Sequence, residues 1–229
     1  RQMCIRDRST SGDRRGPSSA LYHEELHRRR GLLESIASFG VTVCGAGALG
    51  GNVTENLARG GYRKLRLVDR DRVEERNLST QPYYRSDVGA PKARVLAGVL
   101  YRALGVEVDA QVAELDDRNA GKLVAGSDLV IDTFDNSTSR RAVSEACRAA
   151  TLPCLHIGLA ADYAEIIWDE LYRVPSARRD DVCDYPLARN LVTLAVAVGC
   201  EVTTGFVRDG SRRSYTITLG DLKVEPYSS

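Results

Sequence analysis

The sequence predicts an α/β protein built on a doubly wound, mainly parallel sheet with an antiparallel C-terminal extension. Three observations predict it. Short apolar runs alternate with helix-period segments between residues 41 and 157, the pattern of parallel strands joined by crossover helices. A glycine-rich turn follows the first apolar run directly. After Gly158 the alternation gives way to a strand, a polar loop, a long apolar helix and a closing strand.

Taken in order, apolar positions Tyr22, Leu26, Leu33 and Ile36 recur at helical intervals, predicting an amphipathic helix from Ser19 to about Phe39. Gly31 weakens it in the middle. Strands are expected at Val41 to Cys44, Leu65 to Asp69, Val106 to Val112, Leu129 to Asp132 and Cys154 to Ile157. Helices are expected to begin near Leu49, Val88, Arg118 and Thr138. Ala164 to Arg173 reads as a strand, residues 174–186 as a polar loop, Leu187 to about Val207 as a helix, and Ser214 to Leu219 as the last strand.

A length of 229 residues accommodates one large domain with a buried core and leaves little room for a second. That domain is expected to span residues 18–229, crossover loop included. The first eight residues fit nothing downstream and read as translated adapter sequence; residues 9–17 read as a disordered lead-in. The hydrophobic share of 43% against 28% charged residues is that of a soluble globular protein. No run of about 18 apolar residues offers a membrane span, so a cytoplasmic protein is expected. Lys and Arg (32) nearly cancel Asp and Glu (31), leaving no global field to draw nucleic acid or an acidic membrane. Cysteines 4, 44, 147, 154, 183 and 200 form no CxxC pair, which argues against a zinc ribbon and a dithiol redox motif and for free thiols.

Val41-Thr42-Val43-Cys44 runs into Gly45-x-Gly47-x-x-Gly50, and Asp69 follows 19 residues after Gly50, at the end of the second expected strand. This is the nucleotide-binding fingerprint in its Rossmann-like context. Glycines let the backbone approach a phosphate, the helix N-terminus supplies N–H groups, and a carboxylate receives ribose hydroxyls. The fingerprint alone does not separate NAD or FAD from ATP. The residues that follow do: Asp69-Arg70-Asp71, then Asn77-Leu78-Ser79-Thr80-Gln81, then Val88-Gly89-Ala90-Pro91-Lys92, and finally Asp132-Thr133-Phe134-Asp135-Asn136 with Arg140. Strand carboxyl ends share one crevice in an open parallel sheet, so these side chains should converge there. An enzyme that splits a triphosphate needs cations on the phosphates and a carboxylate for Mg2+.

This ordered set resembles the ThiF/MoeB and ubiquitin-activating superfamily over residues 20–225. The resemblance implies ATP- and Mg2+-dependent adenylation of the C-terminal carboxylate of a ubiquitin-like or sulfur-carrier protein, with a homodimer and a conjugating enzyme as further partners. It also implies roles: Gly45, Gly47 and Gly50 line the phosphates, Asp69 holds the ribose, Asp71 is a further nucleotide-binding residue, Asn77 and Lys92 contact phosphate, Asp135 binds Mg2+, and Arg140 steadies the Asp135 loop or the phosphates. Taken singly, Asn77 can instead cap a turn, Lys92 can be a solvated helix residue, and Asp135 can cap a helix. Many members carry arginine where this chain has Thr80. Arg76 and Arg85, or Arg28, Arg29 and Arg30 from the N-terminal helix, are the candidates to compensate; those three can equally form only a solvated face.

Cys183, in Asp181-Val182-Cys183-Asp184, lies just before the long apolar helix, where the family's acceptor cysteine commonly sits. A helix N-terminus favours a thiolate, whereas the flanking Asp181 and Asp184 oppose it. Both the nucleophile and the passive loop cysteine remain open. Cys44, Cys147 and Cys200, the Cys154/His156 pair and Trp168 read as core. Two other functions share the same turn: an NAD- or FAD-dependent oxidoreductase, which needs neither Lys92 nor Asp135, and a non-catalytic nucleotide-binding scaffold subunit.

Overall fold

The structure, a computed structural model, describes residues 20–28, 30–175 and 187–227. The lead-in of residues 1–17 and the Cys183 segment lie outside the described residues.

The chain begins with two helices, α1 (Tyr22–Arg28) and α2 (Arg30–Ser38), where the apolar spacing predicts one. Gly31, of low helix propensity, falls in the first turn of the second. The alternating region gives β1 (Gly40–Cys44), α3 (Ala48–Arg59), β2 (Lys64–Val68), α4 (Lys92–Leu104), β3 (Val108–Gln111), α5 (Ala120–Val124), β4 (Leu129–Asp132), α6 (Ser137–Ala150) and β5 (Cys154–Ala160). Then come β6 (Tyr163–Trp168), α7 (Arg189–Asp209), β7 (Tyr215–Thr218) and β8 (Lys223–Pro226).

All eight strands form one sheet in the order β3-β2-β1-β4-β5-β6-β7-β8. Pairs from β3 to β5 are parallel and those from β5 to β8 antiparallel, matching the expected mainly parallel sheet with its antiparallel extension. Chain order reverses between β1 and β4, so the crevice opens at their carboxyl ends.

The strand residues divide between two cores by their alternation. Val41, Val43, Leu65, Leu67, Leu129, Ile131, Leu155 and Ile157 face a layer that includes Leu57, Leu96, Leu100, Leu191 and Ala195 from α3, α4 and α7. Cys44, Val68, Val130 and Cys154 face Leu123, Val124, Ala142, Val143 and Cys147 from α5 and α6. The core readings of Trp168 and of Cys44, Cys147, Cys154 and Cys200 therefore hold, and these four cysteines are free thiols. Helix α7 has the length and hydropathy of a membrane span, contrary to the expectation that no such stretch exists. It packs instead as a core helix, burying Leu191, Val192, Ala195, Val196 and Cys200. Its Gly199 packs directly on β5, where a Cβ would come within 2.6 Å of Ile157 Cδ1 and make that side chain shift.

Three boundaries and one strand depart from expectation. Helix α4 starts at Lys92 rather than Val88, because Gly89 takes φ +90° and the residue preceding Pro91 is disfavoured in helical conformation. Strand β6 stops at Trp168, where Leu171 and Tyr172 N–H groups fold back onto the Trp168 carbonyl. Helix α5 is a short segment beginning at Ala120. Strand β8 was not expected: all four residues are exposed, so burial imposes no apolar alternation to read.

Leu67 is fully buried in β2, between β3 and β1. Leu67→Ala should cost roughly 2–5 kcal/mol of stability by leaving a cavity, read as a lowered urea midpoint at unchanged slope; a loss under about 1 kcal/mol would contradict this packing.

Candidate functional site

The glycine turn is built by close approach. Gly45 adopts φ +100°, a conformation costly for side-chain-bearing residues. A Cβ on Gly50 would land on the Gly45 carbonyl oxygen, so only glycine lets α3 start so near the end of β1. Gly47 is different: it precedes α3, no side chain caps the helix there, and a Cβ would meet nothing within 4 Å. Open space therefore lies over the N-terminus of a 12-residue helix, a position suited to an anion.

Asp69 stands directly after β2 and organises this turn. Its Oδ2 accepts the Ala46 N–H at 2.6 Å and its Oδ1 the Asp71 N–H at 2.6 Å. Burial raises its pKa, against the opposing pull of those two N–H groups and of Lys92. Asp69 thus has a turn-holding task besides any contact with ribose. Tyr83, from the loop after the Asn77 segment, braces the same turn by donating its OH to the Ala46 carbonyl at 2.8 Å.

Lys92 is buried, which rules out the solvated-helix reading. Its N–H donates to the Asp71 carbonyl at 2.9 Å, and its Nζ lies 3.6 Å from Asp71 Oδ2. The segment after β2 and the segment before α4 are laced together by Val73 N–H to Ala90 O and Gly89 N–H to Val73 O. The pairing carries the ammonium group to the acidic pair.

Asn77 ends a 3-10 turn, Glu75–Asn77, and its Oδ1 accepts the Glu74 N–H at 2.9 Å. The turn-capping alternative is thus realised for that oxygen. Thr80 is buried, with its carbonyl accepting from Asn52 Nδ2. Of the arginines considered as compensation, Arg28 is tied to Glu24 and Glu201, Arg76 donates to Glu74, and Arg85 lies exposed. Arg29 and the side chain at position 30 lie outside the described residues. A cleft of about 360 Å³ flanks this loop, lined by Asn52, Ser79, Gln81, Tyr84 and Arg189 among others. It includes none of Gly45, Lys92 and Asp135, so it neighbours the crevice rather than forming it.

On the β4 side, Thr133 Oγ1 donates to the Cys44 carbonyl at 2.8 Å, joining the two turns. Asn136, not Asp135, caps α6, its Oδ1 accepting the Ser139 N–H at 2.8 Å. Capping therefore does not account for Asp135, which stands exposed on the turn. Arg140 is buried: Nη1 donates to Tyr172 Oη at 2.9 Å and Nη2 to the Ile157 carbonyl at 3.2 Å, with Asp132 Oδ2 at 3.8 Å. These contacts tie Arg140 to β4, β5 and the segment after β6.

Sequence reasoning missed the cluster around Arg140. His156 Nδ1 lies 2.9 Å from Asp132 Oδ2, and the Tyr172 ring stacks on the imidazole at 3.7 Å between centroids and 9° between planes. His156 is buried, as its core reading expects, but only one of its ring nitrogens is satisfied: Nε2 has no hydrogen-bond partner among the described residues. Asp132 and His156 face each other across the β4–β5 register, a pairing that adjacent strand ends could have signalled. Nothing in the sequence signalled Tyr172. Burial by itself would raise the Asp132 pKa, but the Arg140 charge and the His156 hydrogen bond outweigh it and hold the carboxyl below the usual range.

Because the folded-state value is depressed, the Asp132 pair stabilises fully above about pH 4, and that contribution fades as pH falls through the lower folded-state value. Asp132→Asn leaves Arg140 buried and unpaired and should cost roughly 3–5 kcal/mol near neutrality. Urea titrations of both proteins from neutral pH downwards should show the gap closing in acid; a gap that widens there would refute the pairing.

The ThiF family model matches residues 22–167. The SAMP-activating enzyme E1 of Haloferax volcanii is 38% identical over 124 residues, covering 53% of this chain and 46% of that protein. The sulfur carrier protein adenylyltransferase of Thermus thermophilus is 39% identical over 116 residues, covering 49% and 42%. The chain thus spans less than half the length of these two relatives. In structure it resembles E. coli MccB bound to MccA-N7isoASN, with a TM-score of 0.80 at 18% identity over 94% of this chain and 72% of that one, a likeness of fold. With the family model covering well over half of its length, the chain belongs to the ThiF family.

Proposed function

We propose that this protein adenylates the C-terminal carboxylate of a ubiquitin-like or sulfur-carrier protein, using ATP and Mg2+. One observation carries the reading: buried Lys92 is held beside Asp71, next to a glycine turn whose helix N-terminus faces open space. A buried ammonium at that place suits a triphosphate, whereas a dinucleotide oxidoreductase has no use for it.

The residues fit the implied ligands. Gly47 leaves room for phosphate, and Lys92 supplies a point charge. Asp135, with Asn136 taking the capping role, is the carboxylate for Mg2+. Among the described residues no cluster of three or more His, Cys, Asp or Glu could hold a metal. That fits an ion held by one carboxylate together with phosphate oxygens and water. Bound there, Mg2+ would offset phosphate charge and favour pyrophosphate as the leaving group.

In the reaction, an oxygen of the carrier's terminal carboxylate attacks the α-phosphorus. The bond to the bridging oxygen breaks, pyrophosphate leaves, and an acyl-adenylate remains. Cys183 is the proposed acceptor in a second step: its thiolate attacks the acyl carbon and AMP leaves. Curated relatives named as a SAMP-activating enzyme and a sulfur carrier protein adenylyltransferase support the substrate class. A homodimer, a conjugating enzyme as later partner, and a cytoplasmic location complete the proposal, the last supported by four described cysteines that are free thiols.

The test is ATP–pyrophosphate exchange with ubiquitin-like proteins ending in Gly-Gly. Exchange should depend on carrier and Mg2+, and Lys92→Ala should lower it about 10²-fold or more. No exchange with any carrier, alongside tight NAD binding, overturns the reading in favour of the oxidoreductase; ATP binding without exchange favours the scaffold. Intact-mass analysis should find a thioester-linked carrier on the wild type and none on Cys183→Ala. An adduct that survives the substitution removes Cys183 as acceptor.

A further inference from the structure

Asp132 is the hub of a buried cluster to which the adenylation chemistry assigns no step. Its Oδ1 accepts the Phe134 N–H at 3.1 Å, and Phe134 immediately precedes Asp135. Its Oδ2 meets His156 Nδ1 at 2.9 Å and lies 3.8 Å from Arg140 Nη1. Arg140 is fixed in turn by Tyr172 Oη and the Ile157 carbonyl, and Tyr172 lies flat against His156. Four elements meet in this cluster: β4 carries the carboxylate, β5 and α6 reach it, and the segment after β6 supplies the tyrosine that holds both.

The same turn is pinned from outside the cluster. Thr133 N–H and Oγ1 both donate to the Cys44 carbonyl, and the Asn136 side chain caps α6. Residues on both sides of Asp135 are thus held by the fold. Stability alone gives little reason for the cluster, since apolar residues of similar volume do at least as well as a buried ion pair. His156 Nε2, buried without a partner among the described residues, adds a further cost. Rigid geometry at the turn is what the arrangement provides. Groups behind a metal ligand commonly tune metal affinity by holding that ligand still.

We propose that Asp132, His156, Arg140 and Tyr172 form a positioning relay that holds the Asp135 turn in the geometry that receives a magnesium–triphosphate complex. The inference rests on the adenylation reading for the identity of that ligand. Its geometric content, a carboxylate that orders the Phe134 amide, stands apart from it.

The test uses the full chain as wild type, His156→Leu and His156→Asn. Leucine removes the donor to Asp132, whereas the Asn side-chain amide can donate from the place of Nδ1. ATP binding is measured by calorimetry with excess EDTA and again with Mg2+, and amide exchange is followed across residues 133–136. In His156→Leu the Mg2+-dependent tightening should fall about tenfold or more, with metal-free ATP affinity within about twofold of wild type. The Phe134 amide should lose protection, and His156→Asn should restore both readings to within about threefold.

A Leu variant that keeps the wild-type Mg2+ effect overturns the relay, as does one that loses metal-free and metal-dependent binding equally. If the wild type shows no Mg2+ effect at all, the adenylation reading has failed at its metal and amide exchange alone judges the relay. Deprotection of Phe134 in the Leu variant with recovery in the Asn variant then upholds it, and unchanged protection overturns it. Should His156→Leu fail to fold, Tyr172→Phe takes its place, removing the oxygen that anchors Arg140 while keeping the stacked ring. A loss of Mg2+-dependent tightening in Tyr172→Phe supports the relay, and an unchanged value overturns it.

Discussion

The contact on which the rest of the site depends is that between the Gly45 carbonyl and Gly50, where helix α3 comes so close to the end of β1 that no side chain can stand between them. This approach turns the chain at once from strand to helix and leaves the helix N-terminus over open space at Gly47. Asp69 then reaches from β2 to take the Ala46 N–H, and Tyr83 reaches from the following loop to the Ala46 carbonyl. One turn thereby collects supports from two separate parts of the chain. A larger residue at position 50 would move all of them.

Charge in the crevice is arranged in two layers. The outer layer holds the exposed carboxylates Asp71 and Asp135, with the buried Lys92 ammonium beside Asp71. The inner layer, Asp132 with Arg140, His156 and Tyr172, is almost wholly removed from water. In that low-dielectric setting the Arg140 charge and the His156 hydrogen bond keep Asp132 ionised despite its burial. Opposite charges without exposure are costly to keep, and the geometry they impose falls on the backbone just before Asp135. On the function proposed above, the outer groups would meet the ligand and the inner ones would hold them in place.

Much of this was legible beforehand because its physical signals are local. Parallel strands buried on both faces read as short apolar runs, and a strand–glycine turn–helix passage has few alternatives. The glycine turn and Asp69 were named from the spacing of the fingerprint, Lys92 and Asp135 from the resemblance their motifs carry, and the structure brings them to the carboxyl ends of neighbouring strands. What was not legible lacks such a signal. Strand β8 is exposed throughout, so no apolar alternation marks it. The late start of α4 reflects a left-handed Gly89 and the restriction imposed by Pro91, which cancel an otherwise helical pattern.

By itself the sequence determined the layer order, the turn and the residue types available for nucleotide chemistry, because these follow from periodicity and from what glycine alone permits. Only the tertiary structure decided which alternative each polar residue takes. Lys92 could have been solvated and is buried; Asp135 could have capped α6, but Asn136 does so; Arg140 could have faced phosphate, but its guanidinium nitrogens are committed to Tyr172 and Ile157. The reason is that burial and partner choice arise from contacts between residues far apart in the chain. Asp132, His156 and Tyr172 become one unit only when β4, β5 and the segment after β6 are laid side by side.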